Sequence, residues 1–322
     1  MVAMPGLIDE ESVIRLLWEK LRKGQEDPFD DDAAWLQNSS NKKLLVTKSD
    51  MLVATTDAPK QMSSAQMATK SVVSCVSDLA AKGAAPLFCL VSLGFPKKCA
   101  NHEFVGGLAL GFARAQKEYG VQIIGGDINE TVSDVVIDCT IFGFSDRIVK
   151  RSGARPGDLI GVSGEFGHQS AGLQILLGKA QYSRNSKFSR RAIDSILDPK
   201  ARLRLGLKIS RNLSSCTDSS DGLAISLYHL AESSRVNFVL DRLPMARCVK
   251  EFASENKLRA DSLVLFGGEE FELVFTFDPI YSKELSRYGV IPIGRVSKLQ
   301  KEKPSVFYGD KKIPRRGWLQ FR

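Results

Sequence analysis

Aspartates carry most of the chemistry that can be read from this chain. Asp30-Asp31-Asp32, Asp50, Asp78, Asp127 and the pair Asp218/Asp221 fall at element ends or inside apolar stretches, in a chain of formal net charge +8. Carboxylates gathered without cations repel one another or are forced to protonate. A fold that collects even four of them needs counter-charge. Divalent metal with a phosphate substrate attached is the simplest supply.

Taken singly, each acid has two readings. Asp50 shares a strand face with Val46, Lys48 and Leu52 in the run Leu44–Val53, where it either pairs with Lys48 or holds metal. Asp78 lies on a helix whose apolar stripe is Ala65, Ala68, Val72, Val76 and Leu79. It projects almost opposite that stripe, either as an exposed acid paired with Lys82 at i+4 or as a ligand. Ile123-Ile-Gly-Gly-Asp127 reads as a strand running into a double-glycine turn, open to a phosphate and its magnesium or simply a strand end. In Cys216-Thr-Asp-Ser-Ser-Asp-Gly-Leu223, Asp218, Ser219 and Ser220 suit a helix N-cap, yet one cap suffices. The excess of acids and hydroxyls there equally fits metal or phosphate. Glu269 stands at a glycine turn before a strand whose Phe271, Leu273 and Phe275 face one way, where it reaches a cleft or is solvated.

Other chemistries are missing. No G-x-x-x-x-G-K-[ST] loop, protein-kinase set, H-E-x-x-H or G-x-S-x-G is present, and His102, His168 and His229 are too scattered for zinc. Any nucleotide must be held through carboxylate-bound magnesium and glycine turns.

The elements that must position these residues interleave helix and strand, which predicts an α/β or α+β fold of two domains. Strands are expected over 44–55, 87–93, 121–124, 135–144, 237–240, 271–277 and 290–294. Helices are expected over 65–82, 103–119, 170–177 and 221–233. The turn-rich Arg151-Ser-Gly-Ala-Arg-Pro-Gly-Asp158 marks the seam, giving domains 1–148 and 149–322, and Gln181-Ser195 reads as a loop or helical excursion. With 322 residues, each half has enough chain for a core. No apolar run nears the roughly 18 residues that span a bilayer. The N-terminal stretch reads as an amphipathic helix using Ile14, Leu17, Trp18 and Leu21 rather than a secretory signal. Six cysteines without C-x-x-C spacing read as reduced thiols in a cytoplasmic protein. Lys and Arg are scattered without interleaved aromatics, so the positive charge reads as a solvated surface and nucleic acid is not an expected partner.

In order, Asp31-Asp32-Ala33-Ala34, Ser49-Asp50-Met-Leu-Val53, Ser77-Asp78-Leu-Ala-Ala-Lys-Gly-Ala84, Gly125-Gly126-Asp127, Arg151–Asp158, Asp218-Ser-Ser-Asp-Gly-Leu223 and Gly267-Gly-Glu-Glu-Phe-Glu272 resemble the thiamine-monophosphate kinase family. That family lies within the aminoimidazole ribonucleotide synthetase-like ATP-binding superfamily. The resemblance spans nearly the whole chain. It implies a two-domain fold whose N-terminal mixed sheet pairs in a dimer barrel, with a C-terminal α/β domain completing the cleft. It also implies that the γ-phosphoryl group of ATP passes directly to thiamine monophosphate, giving thiamine diphosphate, with several Mg2+ ions and no protein nucleophile.

By the same resemblance Asp32, Ser49, Asp50, Asp78, Asp127, Asp218 and Asp221 bind metal. Gly126, Asp127, Arg151 and Ser220 bind ATP, and Asp57, Glu269 and Trp318 contact the thiamine substrate. The chain departs from the family in three places. Phe29-Asp30-Asp31-Asp32 replaces a Gly-Asp-Asp turn, Asp57 stands where many members have histidine, and Glu270-Phe271 replaces Asp-Tyr. Rival readings are another ATP-using enzyme of the superfamily and a non-catalytic nucleotide- or nucleic-acid-binding protein.

Overall fold

The computed structural model describes residues 12–14, 17, 31–37, 43–183, 186–299 and 302–318. Asp30, Trp18, Leu21 and Phe29 lie outside them. Of the expected N-terminal helix, 12–14 and 17 are helical, with Ile14 and Leu17 exposed.

In the first half, β1 (Ala34–Gln37), β2 (Leu44–Val53), β3 (Ala85–Phe95), β4 (Gln122–Glu130) and β5 (Val136–Ser145) form a sheet in the order β1-β2-β5-β3-β4. Helices α1 (Ala54–Asp57) and α2 (Ser64–Lys82) join β2 to β3, and α3 (His102–Tyr119) joins β3 to β4. Only β3 and β4 pair in parallel, as their helical crossover demands. The second half adds a sheet in the order β12-β11-β8-β10-β6-β9-β7. Its strands are β6 (Leu159–Val162), β7 (Leu213–Ser219), β8 (Asn237–Leu240), β9 (Glu272–Phe277), β10 (Ile291–Ser297), β11 (Val306–Tyr308) and β12 (Lys311–Lys312). Around it lie α4 (His168–Leu176), α5 (Lys187–Leu197), α6 (Leu203–Ile209), α7 (Leu223–Ser234), α8 (Val249–Glu255) and α9 (Ala260–Phe266). The class is mixed α/β with two sheets, as expected. The segment read as a loop or excursion contains α5.

Helix α2 is the axle of the molecule. A capping box starts it: Gln66 N donates to Ser63 Oγ at 3.3 Å and Ser63 N donates to Gln66 Oε1 at 2.9 Å. Such a cap contributes about 1 kcal/mol. Gly83, with φ of 66°, ends it in the left-handed conformation. Val72, Val76 and Leu79 pack with Val46, Leu52, Ile137, Cys139 and Ile141 of the first sheet. The same core continues into Leu213, Cys216, Leu273, Phe275 and Phe277 of the second sheet. Strand β9 alternates, so Val274 joins a second core with Ile160, Val162, Leu227 and Phe238.

Two local expectations change. Ile123–Asp127 does not end in a glycine turn, because β4 runs straight through to Glu130. Glycine is needed at 126 for close approach instead: a Cβ there would lie 1.7 Å from the Val91 carbonyl oxygen. Asp218 and Ser219 are not helix caps either. They lie on β7, and α7 starts after Gly222 without a side-chain cap. Among the described residues no helix is long and apolar enough to cross a membrane. Of the six free cysteines four are buried, Cys99 is half-buried and Cys248 is exposed.

Candidate active site

The side of α2 opposite its apolar stripe carries Lys70, Ser74, Ser77, Asp78 and Lys82, three or four residues apart. All but Ser74 are buried: β7 of the second half meets Ser77 and Lys82, and Glu269 meets Lys70. Asp78 is therefore not the solvated helix acid expected from its position. Nor does it pair with Lys82: Lys48 on β2 lies 2.9 Å from Asp78 Oδ2. Lys82, fully buried, reaches Asp31 and Asp32 instead and donates to the Cys216 carbonyl oxygen at 2.9 Å.

Carboxylate oxygens of Asp32, Asp78 and Asp218 lie within 4.8 Å of one another, and all three residues are buried. They come from the segment before β1, from α2 and from β7, so the cluster exists only when both halves are assembled. Arg151 holds Asp32 through Nε at 2.7 Å, and Thr217 Oγ1 donates to the same oxygen at 2.7 Å. Ser77 Oγ donates to Asp218 Oδ2 at 2.8 Å. Burial disfavours ionised Asp32, but Arg151 and Lys82 outweigh it and hold its carboxyl well below the usual range. Burial, with repulsion from Asp32, pushes Asp218 up to about 7. At Asp78 burial and the neighbouring carboxylates also win, and its carboxyl is raised despite Lys48. Burial likewise raises Asp50, against the pull of Lys48.

This donor set fits a hard divalent ion. Three buried carboxylates converge, and the Lys82 ammonium lies 2.8 Å from Asp32 Oδ2. Two of the three carboxyls resist ionisation, as like charges without a metal must. Asp31, Asp32, Asp50, Asp78 and Asp218 face Lys48, Lys82 and Arg151, so acids outnumber basic side chains there.

The remaining sequence-derived residues fall into two further groups. Ser220, Asp221, Glu269 and Trp318 are drawn together by backbone hydrogen bonds. Glu269 N donates to Ser220 O at 2.5 Å, Phe271 N to Ser219 O at 3.0 Å and Trp318 N to Asp221 O at 2.9 Å. Glu269 and Phe271 take left-handed φ of 66° and 51° to make this turn. The buried Lys70 ammonium bridges the Glu269 carboxylate and the Asp57 carbonyl oxygen. The Asp57 carboxylate itself accepts from Val53 N at 2.7 Å.

Ser49, Gly126 and Asp127 make up the other set, which a single chain joins neither to the cluster nor into one site. Register pairs Met51 with Asp138, Asp138 with Ser92, and Ser92 with Asp127. Asp127 thus shares the open face of the sheet with Met51, and Ser49 is there too, bonded to Thr140 at 2.9 Å. Asp50 is on the opposite, inner face. Gly126 is level with Asp50 through Cys139 and Val91, but on the edge strand β4. Three inter-strand spacings put β2 and β4 about 14 Å apart.

Lys48, Lys70, Ser77, Lys82 and Thr217 were not singled out from sequence as site residues. The spacing 70-74-77/78-82 on one helix is the signal that could have found four of the α2 stripe. It reads as a solvated face until the second half is known to cover it.

Comparison with known proteins adds to this geometry. Residues 30–145 match the family described as AIR synthase related protein, N-terminal domain. The chain is 36% identical over 327 residues to the thiamine-monophosphate kinase of Nitrosopumilus maritimus, covering 98% of this chain and 99% of that protein. It is 35% identical over 269 residues to the Pyrococcus horikoshii thiamine-monophosphate kinase, covering 83% and 82%. The solved structure of AaThiL complexed with AMPPCP and TMP superposes with a TM-score of 0.88 at 28% identity, covering 100% of this chain and 99% of that one.

Proposed function

Because the chain belongs to the thiamine-monophosphate kinase family, we propose that it moves the γ-phosphoryl group of ATP onto the phosphate of thiamine monophosphate, releasing ADP and thiamine diphosphate. The observation that carries this reading is the buried Asp32–Asp78–Asp218 cluster beside Arg151, in a fold that matches AaThiL complexed with AMPPCP and TMP.

Attack of one phosphate on another brings several negative charges together, so positioning and charge neutralisation supply most of the rate. Bound Mg2+ would supply that neutralisation, held by Asp32, Asp78 and Asp218, with Asp50 acting on Asp78 and Asp221 at the turn that carries Glu269. The chain's own residues orient the acids: Arg151 and Thr217 fix Asp32, Ser77 fixes Asp218 and Lys48 fixes Asp78. Arg151, Gly126, Asp127 and Ser220 serve the nucleotide. Glu269 meets the positively charged thiazolium ring of thiamine, with Trp318 offering a stacking surface and Asp57 shaping the pocket through its carbonyl. No side chain is placed as a nucleophile. Transfer is direct and in line, and rapid quenching should find no phosphorylated protein.

We read residues 1–148 and 149–322 as two domains and the active unit as a homodimer. The open face of the first sheet exposes Met51 and Leu90, and its edge strand exposes Ile124 and Ile128. An apolar sheet face of this kind supports pairing with a second copy. Asp127 and Ser49 lie on that same face, so the dimer offers a route for Asp127 of a second copy to reach a nucleotide bound at the cluster. The free thiols fit the reducing cytoplasm.

An ADP-release assay across thiamine monophosphate, formylglycinamidine ribonucleotide and selenide tests the acceptor. Release only with thiamine monophosphate supports the reading, while release with either other acceptor gives the activity to a relative in the superfamily. Asp50→Asn and Asp127→Asn should each abolish turnover with the fold intact. Near-normal rates in Asp50→Asn would remove Asp50 from the site, and near-normal rates in Asp127→Asn would remove the nucleotide role of Asp127.

A further inference from the structure

Lys48 enters the acid cluster from an unusual direction. Lys82 and Arg151 approach Asp32, and both are committed there. Lys48 comes across from β2, on the inner sheet face it shares with Val46, Asp50 and Leu52, and its ammonium stops 2.9 Å from Asp78 Oδ2. Its neighbours in sequence turn away: Thr47 donates to the Ile141 carbonyl oxygen at 3.1 Å and Ser49 bonds Thr140 on the open face. The Lys48 side chain is only 26% exposed and feels both Asp78 and Asp50. It therefore puts a positive charge on the β2 side of the cluster, in contact with Asp78 and on the sheet face that carries Asp50.

An ammonium is a compact single charge with three donors and no exchangeable ligand shell. It neutralises Asp78 without needing a metal. It also repels any dication that approaches the Asp50 side of the cluster.

We propose that Lys48 is a built-in counter-cation that takes the place of one divalent metal ion between Asp50 and Asp78. The nucleotide-free chain then holds a single tight divalent ion, on Asp32, Asp78 and Asp218. Lys48 is a positioning residue for the phosphoryl transfer proposed above, and its role rests on that metal-assisted reading. It makes the metal stoichiometry of this chain a property of one residue on β2.

Mn2+ binding to the nucleotide-free protein, followed by loss of the free-ion EPR signal, tests this without recourse to activity. Wild type and Lys48→Arg should each bind one tight Mn2+ per chain. Lys48→Met, which keeps the aliphatic stem, should bind a second Mn2+ or hold the first at least tenfold more tightly. Mn2+ should then raise its melting temperature more than that of wild type. Two or more tight ions on wild type would overturn the proposal even if Lys48→Met failed to fold. An unchanged isotherm in Lys48→Met, or a Lys48→Arg isotherm like that of Lys48→Met, would also overturn it. No tight ion on any of the three proteins would overturn both this role and the metal-assisted reading, whereas excess ions on wild type would remove only the role of Lys48.

Discussion

Ser77 donates its hydroxyl proton to Asp218 Oδ2 at 2.8 Å, so a residue of the first half's central helix orients a carboxylate of the second half's sheet. This bond favours the ionised form of Asp218, the form a metal needs, against burial and Asp32, which push its carboxyl up to about 7. Ser77→Ala should raise the Asp218 carboxyl further and shift the acid limb of the kcat/KM pH profile upward. A hydrogen bond to a charged group is worth about 1.5–3 kcal/mol, so the loss in kcat/KM at neutral pH should be roughly tenfold to a hundredfold. A profile superimposable on wild type would deny Ser77 this role.

Lys82 is fully buried between Asp31 and Asp32 and has no route to solvent. Removing one partner of a buried ion pair leaves charge without compensation, at a cost of about 3–5 kcal/mol. Lys82→Met should lower the urea midpoint accordingly in the absence of metal. Mg2+ should restore part of that loss by supplying the missing charge. Equal midpoints for variant and wild type would show that the pair contributes nothing net.

His168 is buried at the start of α4, and burial, aided by the Arg191 charge, pushes its imidazole down to about 4. The unfolded chain takes up a proton near pH 6.5 while the folded chain does not. Unfolding is therefore favoured as pH falls from about 6.5 to about 4, and nothing is contributed above that window. Asp218 titrates with the opposite sign, because the folded state keeps its proton up to about 7 and loses stability as pH rises towards that value. Comparing His168→Gln with wild type isolates the first effect. The variant should show a shallower loss of stability between about pH 6.5 and 4, and an identical slope would contradict the assignment.

Met51 is 56% exposed in the middle of the open sheet face. Met51→Asp should leave the inner core untouched, because Val46 and Leu52 point the other way. If two copies join through this face, light scattering should show the wild type at twice the chain mass and the variant shifted towards one chain. A variant that keeps the wild-type mass would place the interface elsewhere.

Much of the fold was legible because periodicity reports burial on one side of an element. Helix α2 was expected over 65–82 and spans Ser64–Lys82, and β8 was expected over the residues it occupies. What failed was the second side. Asp78 reads as solvated from its own helix, since no local pattern shows that β7 will cover the polar stripe. Asp218 reads as a cap because two serines and an acid before a leucine-rich helix suit both a cap and a strand end. The acids themselves were found from residue type and order. Sequence spacing pairs Lys48 with Asp50 and Lys82 with Asp78, whereas Lys48 reaches Asp78 and Lys82 reaches Asp31 and Asp32; Lys70 is not singled out, because a lysine on a helix ordinarily faces water. The split between Asp50 and Asp127 was hidden for a third reason: alternation gives a face within one strand, but only register across four strands relates two of them.

The central claim is that phosphoryl transfer runs directly from ATP to the phosphate of thiamine monophosphate at the Asp32–Asp78–Asp218 cluster. A single-turnover experiment with γ-labelled ATP, Mg2+ and thiamine monophosphate tests it most directly. The account predicts that label appears in the terminal phosphate of thiamine diphosphate at the rate ADP forms, with none on the protein, and that Asp218→Asn reduces that rate by about a hundredfold or more. Label retained on the protein, or ADP formed without labelled thiamine diphosphate, would contradict it.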